Sequence, residues 1–152
     1  MTACTLVAGG SGTQRQAAIA ARIDPQVGTA VILEGLHDAG SPLASAIATP
    51  LLQVTTIAVG CPCCGDGLVM RVTLDRVLRR QPATLYVSLA DATHVPHFQQ
   101  YLSAPPYAAL VSLCPVVDCD AWSSISRQSC RRQMHEGAGA DEAPAGISRV
   151  PA

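Results

Sequence analysis

The chain has 152 residues, a formal net charge of −1, 49% hydrophobic residues and 14% charged residues. This fits one domain with room for a core and excludes a chain disordered throughout. The balanced charge and the 3% aromatic content give no electrostatic pull toward nucleic acid or acidic membranes, and no platform for base stacking. Neither lysine nor asparagine occurs, so all ten basic residues are arginine, and chemistry that needs Lys or Asn is closed to the chain acting alone.

The opening Met1-Thr2-Ala3-Cys4-Thr5-Leu6-Val7-Ala8 lacks the positive leader and apolar core of a signal peptide, and no apolar run reaches bilayer length. Both features predict a cytoplasmic protein, where seven cysteines point to metal binding or packing rather than disulfides. Thr5–Ala8 reads as a buried strand that stops at Gly9-Gly10-Ser11-Gly12, and alanine-rich Thr13–Arg22 reads as a helix closed by Asp24-Pro25. Thr29–Leu33 is a second strand, with Glu34-Gly35 at its exit. The segment from His37 to Pro50 is rich in Gly, Ser, Pro and Ala and reads as a loop.

Leu52–Val59 is a β-rich run that leads straight into Gly60-Cys61-Pro62-Cys63-Cys64. Asp66 is placed to cap a helix from about Gly67 to Arg80, with Met70, Leu74, Val77 and Leu78 on one face and Arg76, Arg79 and Arg80 on another. Ala83–Leu89 reads as a strand, Val95–Leu102 as a helix and Ala108–Leu113 as a last strand. The alternation predicts an α/β fold of three layers, a mainly parallel sheet with helices on both faces, over residues 1–117. From Asp118 to Ala152 the periodic pattern fades, predicting a low-complexity, disordered tail.

A strand, a glycine loop and a helix in that order suggest a phosphate-binding loop. Against the pattern G-x-x-x-x-G-K-S/T, Gly9 fits the first position. Gln14 then stands at the second glycine, Arg15 at the lysine and Gln16 at the Mg²⁺-binding hydroxyl. Gln carries a Cβ that blocks close backbone approach, Arg is larger and planar where Lys is compact, and Gln replaces a Mg²⁺-binding hydroxyl poorly. Two readings follow: a tight strand-to-helix turn without a ligand, or weak anion binding through Gly9, Gly12, Thr13 and Arg15.

Cys61, Cys63 and Cys64 place three soft donors within four residues, and thiolates hold Zn²⁺ tetrahedrally at about 2.3 Å. Pro62 and Gly65 help the backbone turn around one ion. The fourth position falls to water, Glu34, His37 or a partner side chain. The competing readings are buried small residues and a reactive thiol pair, since a Cys61–Cys63 bridge would close a strained ring. Cys114 and Cys119 read as a buried cysteine and a tail cysteine, or as a second metal site. His94 and His97, three apart, read as a solvated pair or as ligands on a helix face, with Pro96 disturbing the helix there.

Taken in order, the P-loop-like start, Ala30-Val31-Ile32-Leu33-Glu34-Gly35 and Gly60-Cys61-Pro62-Cys63-Cys64 before an arginine-rich helix resemble the CobW-type GTPases, whose signature is G-C-x-C-C. The resemblance spans roughly Thr5 to Leu113 and implies a P-loop NTPase-like fold, GTP and Mg²⁺ as cofactors, and metal insertion or chaperoning of zinc or cobalt. It implies Cys61, Cys63 and Cys64 as metal ligands and sets Glu34 near the family's acidic switch residue. Leu89-Ala90-Asp91 is similar to the family's G-L-A-D-P stretch, whereas Tyr86-Val87-Ser88 replaces the acidic E-T-S/T-G segment and the guanine-reading N-K-x-D element cannot be formed. The sequence thus reads as a shortened, degenerate member that binds zinc or a similar soft metal in metal handling or regulation. Its expected partners are the metal ion and a client metalloprotein or full-length relative. The alternatives are an active GTP-hydrolysing metallochaperone and a non-catalytic interaction module.

Overall fold

The computed structural model describes residues 1–35, 40–46, 49–59 and 67–121. Among them, six strands form one parallel sheet: β1 (Thr2–Ala8), β2 (Thr29–Glu34), β3 (Leu52–Ile57), β4 (Thr84–Ser88), β5 (Val111–Leu113) and β6 (Val117–Asp118). The strand order is β3-β2-β4-β1-β5, with β6 also paired to β1. The helices are α1 (Gly12–Ala20), α2 (Pro42–Ala46), α3 (Leu68–Leu78) and α4 (Val95–Leu102), with single 3-10 turns at Ala92–His94 and Tyr107–Ala109.

The near-continuous apolar strands follow from burial on both faces, because successive side chains alternate across a sheet. Ala30 and Ile32 of β2, Leu6 of β1 and Leu85 and Val87 of β4 pack with Met70, Leu74, Val77 and Leu78 of α3 and Phe98 and Leu102 of α4. Their neighbours in sequence, Val31 and Leu33, Val7, and Tyr86, pack on the opposite face with Ile19 of α1 and Leu43 of α2. The result is the expected three-layer α/β architecture. The apolar face assigned to α3 is buried, and Arg76, Arg79 and Arg80 are exposed.

Several boundaries differ from the expectations. The first strand begins at Thr2 rather than Thr5, which places Cys4 in the core. The stretch read as a loop between His37 and Pro50 contains α2, started by Ser41, whose hydroxyl accepts from Leu43 N at 3.1 Å, and by Pro42 in the first turn. The residue before α3 is Gly67, and Asp66 lies outside the described residues. Pro96 sits in the first turn of α4, where a missing N–H is harmless, so it starts the helix rather than disturbing it. The final strand is shorter than expected because Tyr107–Ala109 form a 3-10 turn.

The domain also continues past the expected boundary at residue 117. β5 pairs with Thr2–Cys4 and β6 with Val7–Ala8 on the same side of β1. The register shifts from Cys4↔Leu113 to Val7↔Val117, so one extra residue bulges out of the outer strand. Asp118 to Ala121 then turn back over the end of β1. The rest of the expected tail, residues 122–152, lies outside the described residues. No helix among the described residues is long and apolar enough to cross a membrane.

Candidate functional site at the carboxyl edge of the sheet

Because β1 to β4 are parallel, Ala8, Glu34, Ile57 and Ser88 end at one edge of the sheet. From β1 the chain crosses toward β2 through α1, and from β4 it crosses the other way to β5 through α4. The two connections pass over each other's strand on opposite faces of the sheet, α1 on one and α4 on the other, so the carboxyl ends of β1 and β4 lie side by side between them. The Gly9-Gly10 loop, Leu89-Ala90-Asp91, Arg15 and Glu34 meet at this position.

Gly9 and Gly10 have φ of +78° and +60°, a left-handed pair that L side chains resist. Ser11 then caps α1. Its Oγ accepts from Gln14 N at 3.2 Å, and Gln14 Oε1 accepts from Ser11 N at 2.7 Å. This S-x-x-Q capping box is a local signal that explains Gln14 better than a failed glycine position does.

Arg15 is 6% exposed and turns back under the loop. Its Nη1 donates to Gly10 O at 2.8 Å and Gly9 O at 3.3 Å, and its Nε donates to Ser88 Oγ at 3.0 Å. A planar fork suits this bridging task. Gln16 is also buried and accepts from Ser41 Oγ, joining α1 to α2. The side chains at the lysine and hydroxyl positions of the P-loop pattern are therefore engaged in packing. Thr13 is exposed, and a Cβ at Gly12 would meet only ordinary contacts.

The segment after β6 covers the loop. Gly10 N donates to Asp120 Oδ1 at 2.9 Å, across 110 residues. A Cβ on Gly9 would fall 2.7 Å from both Asp118 Oδ1 and Asp120 Oδ2. The backbone angle favours glycine there, and a Cβ would also push both carboxylates aside. Asp118 Oδ1 accepts from Asp120 N at 2.9 Å and Ala121 N at 3.5 Å, which fixes the turn. Buried beside it, the Cys119 thiol is pushed up chiefly by desolvation, with Arg15 and Arg22 opposing. Neither aspartate was a candidate from sequence, because no local pattern carries a contact between residues 10 and 120.

Glu34 is buried, and its Oε2 accepts from Ala90 N at 2.8 Å, tying β2 to the loop after β4. Asp91 starts the following 3-10 turn by accepting from Thr93 N at 2.8 Å and Thr93 Oγ1 at 2.7 Å. These bonds from Thr93, with a smaller contribution from His94, hold its carboxyl below the usual range. His94 Nε2 lies 3.9 Å from Asp91 Oδ2, while His97 is exposed one turn on. β3 ends at Ile57, level with Glu34. Cys61, Cys63, Cys64 and His37 lie outside the described residues. Among the described residues no group of three or more His, Cys, Asp or Glu could hold a metal ion. Comparison of the chain with family models, curated proteins and solved structures finds no match.

Proposed function

We propose that the chain is a CobW-like cytoplasmic protein that binds zinc, or a similar soft divalent ion, through Cys61, Cys63 and Cys64, with a role in metal handling or regulation. One observation carries this reading: the residues at the catalytic positions of the P-loop pattern have internal work. Arg15 braces the carbonyls of Gly9 and Gly10, and Gln16 bonds Ser41. Chemistry built on a GTP cycle is thereby disfavoured, and the soft donors remain the chemically distinctive group in the sequence. Three thiols in four residues match the ligand preference of Zn²⁺, and β3 leads toward them from the edge that also carries Glu34. In this reading Glu34 or His37 supplies the fourth donor.

Native mass spectrometry of tag-free protein, with and without chelator, tests the proposal. The expected result is one zinc per chain, lost in C61S/C63S/C64S. A triple variant that binds added zinc as tightly as wild type would overturn it. Titration with GTP and Mg²⁺ separates this reading from an active GTPase, which requires nucleotide binding below millimolar concentration.

A further inference from the structure

The two edges of the sheet are finished differently. On one side β5 has three residues and β6 two, with a register step between them, so that edge is short and bent. On the other side β3 is outermost, and among the described residues its strand partner is β2. Natural edges are protected by shortness, bulges, proline or charge. β3 runs for six residues, Leu52–Ile57, with no charged side chain and no proline. At the two ends of its ladder Leu51 O accepts from Thr29 N at 3.0 Å and Ile57 O accepts from Gly35 N at 2.9 Å. Successive residues of a strand turn their backbone groups to opposite neighbours, so Gln53 and Thr55 also bond toward β2, while Val54 and Thr56 present N–H and C=O outward.

We propose that β3 pairs antiparallel with β3 of a second copy of this chain, about a two-fold axis perpendicular to the sheet at Thr55. Three features select a second copy as the occupant. With Thr55 at the axis, Val54 of each copy lies opposite Thr56 of the other and exchanges both backbone hydrogen bonds with it, and Thr55 meets its own equivalent in a favourable Thr–Thr pair. The strand is uncharged, so self-pairing sets no like charges opposite one another within it, and the Arg80 guanidinium is turned back onto Gln53 Oε1 at 2.8 Å. Leu51 and Val59, 48% and 60% exposed, are equally spaced from Thr55, so the same register brings Leu51 of one copy to Val59 of the other at both ends. The strand is ~20 Å long at ~3.3 Å per residue. With α2 and α3 on opposite faces beside it, each a layer of ~10 Å, the joint covers roughly 1,000 Å² in total. That is the low end for a specific interface, so the dimer is reversible and concentration-dependent. The blunt edge at β5 and β6 closes the assembly at two copies. No thiol takes part, so the inference stands apart from zinc binding.

Sedimentation equilibrium of the full chain tests it, from micromolar to sub-millimolar concentration with chelator and reductant present. Wild type is compared with T56K, T56P and L110K, each checked for folding by circular dichroism. T56K sets a charge on an exposed edge position, and T56P removes an N–H that faces away from β2. Each should raise the dimer dissociation constant about tenfold or more. L110K alters an exposed apolar residue just before β5 and should leave the constant unchanged. A wild type that stays monomeric, growth beyond two copies, association of T56K equal to wild type, or an equal weakening by L110K overturns the proposal. Hydrogen exchange in wild type supplies a check without substitution. The N–H groups of Val54 and Thr56 should gain protection as concentration rises. Full protection in a monomer would mean that the chain's own residues cover the edge, and no protection at any concentration would leave it to another protein's strand; either result overturns self-pairing.

Discussion

Replacement of Arg15 distinguishes a brace from a phosphate ligand. As a brace, the guanidinium spends three hydrogen bonds on Ser88 Oγ, Gly9 O and Gly10 O from a position only 6% exposed. Hydrogen bonds involving a charged group contribute about 1.5–3 kcal/mol each, but partial access of water to the freed carbonyls reduces the sum. R15A should therefore lose about 2–4 kcal/mol. With a urea dependence of about 2 kcal/mol/M, the midpoint falls by about 1–2 M at unchanged slope. Thermal scans should show a drop of about 4–16 °C, at ~2–4 °C per kcal/mol for a chain of this size. R15K keeps the charge but replaces a two-ended fork with one ammonium group, which cannot span Ser88 and the loop together, so it should lose about half as much. An exposed phosphate-facing side chain would behave otherwise, since surface substitutions stay within about 0.5 kcal/mol. An R15A midpoint within about 0.25 M of wild type, or an R15K variant of full stability that gains GTP binding, would refute the brace.

Two further outcomes follow from the core and one of its thiols. Phe98 is fully buried between α4 and the sheet, so F98A should lose about 3–5 kcal/mol in urea denaturation. Burial, with a smaller contribution from Cys114, pushes the Cys4 thiol from 9.0 up to about 12. The native state therefore keeps a proton that the unfolded chain releases. Stability from this source is intact below about pH 9 and declines by up to ~1.4 kcal/mol per pH unit between 9 and about 12. Urea midpoints from pH 8 to 10.5 should fall less steeply in C4A than in wild type, and identical slopes would contradict the assignment.

What could be read from the chain before folding was set by the range of each interaction. β2 and α4 were legible because each is a local pattern: an apolar run closed by Glu34-Gly35, and a short helical stretch over Val95–Leu102, although Pro96 read as a disturbance where it in fact starts the helix. The buried face of α3 was legible for the same reason, since Met70, Leu74, Val77 and Leu78 recur at helical spacing. α2 was hidden by brevity, its five residues sitting in a stretch whose composition is that of a loop. Ser41-Pro42 nevertheless carries a start signal. At the candidate site the strand, loop and helix were apparent, but the roles of Gln14, Arg15 and Gln16 were not. Gln14 closes a capping box that the P-loop comparison obscured. Arg15 and Gln16 act on Ser88 and Ser41, 73 and 25 residues away. Asp120 meets Gly10 across 110 residues, a contact with no local pattern to announce it.

The position of β1 has a consequence for the order in which the fold can be assembled during synthesis. Its partners are β4 on one side and β5 and β6 on the other. Residues 9–83 separate Ala8 from Thr84, the first residue of β4. At ~5–20 residues per second a ribosome needs about 4–15 s to make that stretch. Throughout that interval Leu6 and Val7 belong to a strand with both hydrogen-bonding edges open, whereas β2 and β3 have each other as partners as soon as Ile57 has been made. The strand that becomes the inner rib of the sheet is thus the earliest made and among the latest to be enclosed. In a half-made chain it is the segment most in need of shelter by a chaperone.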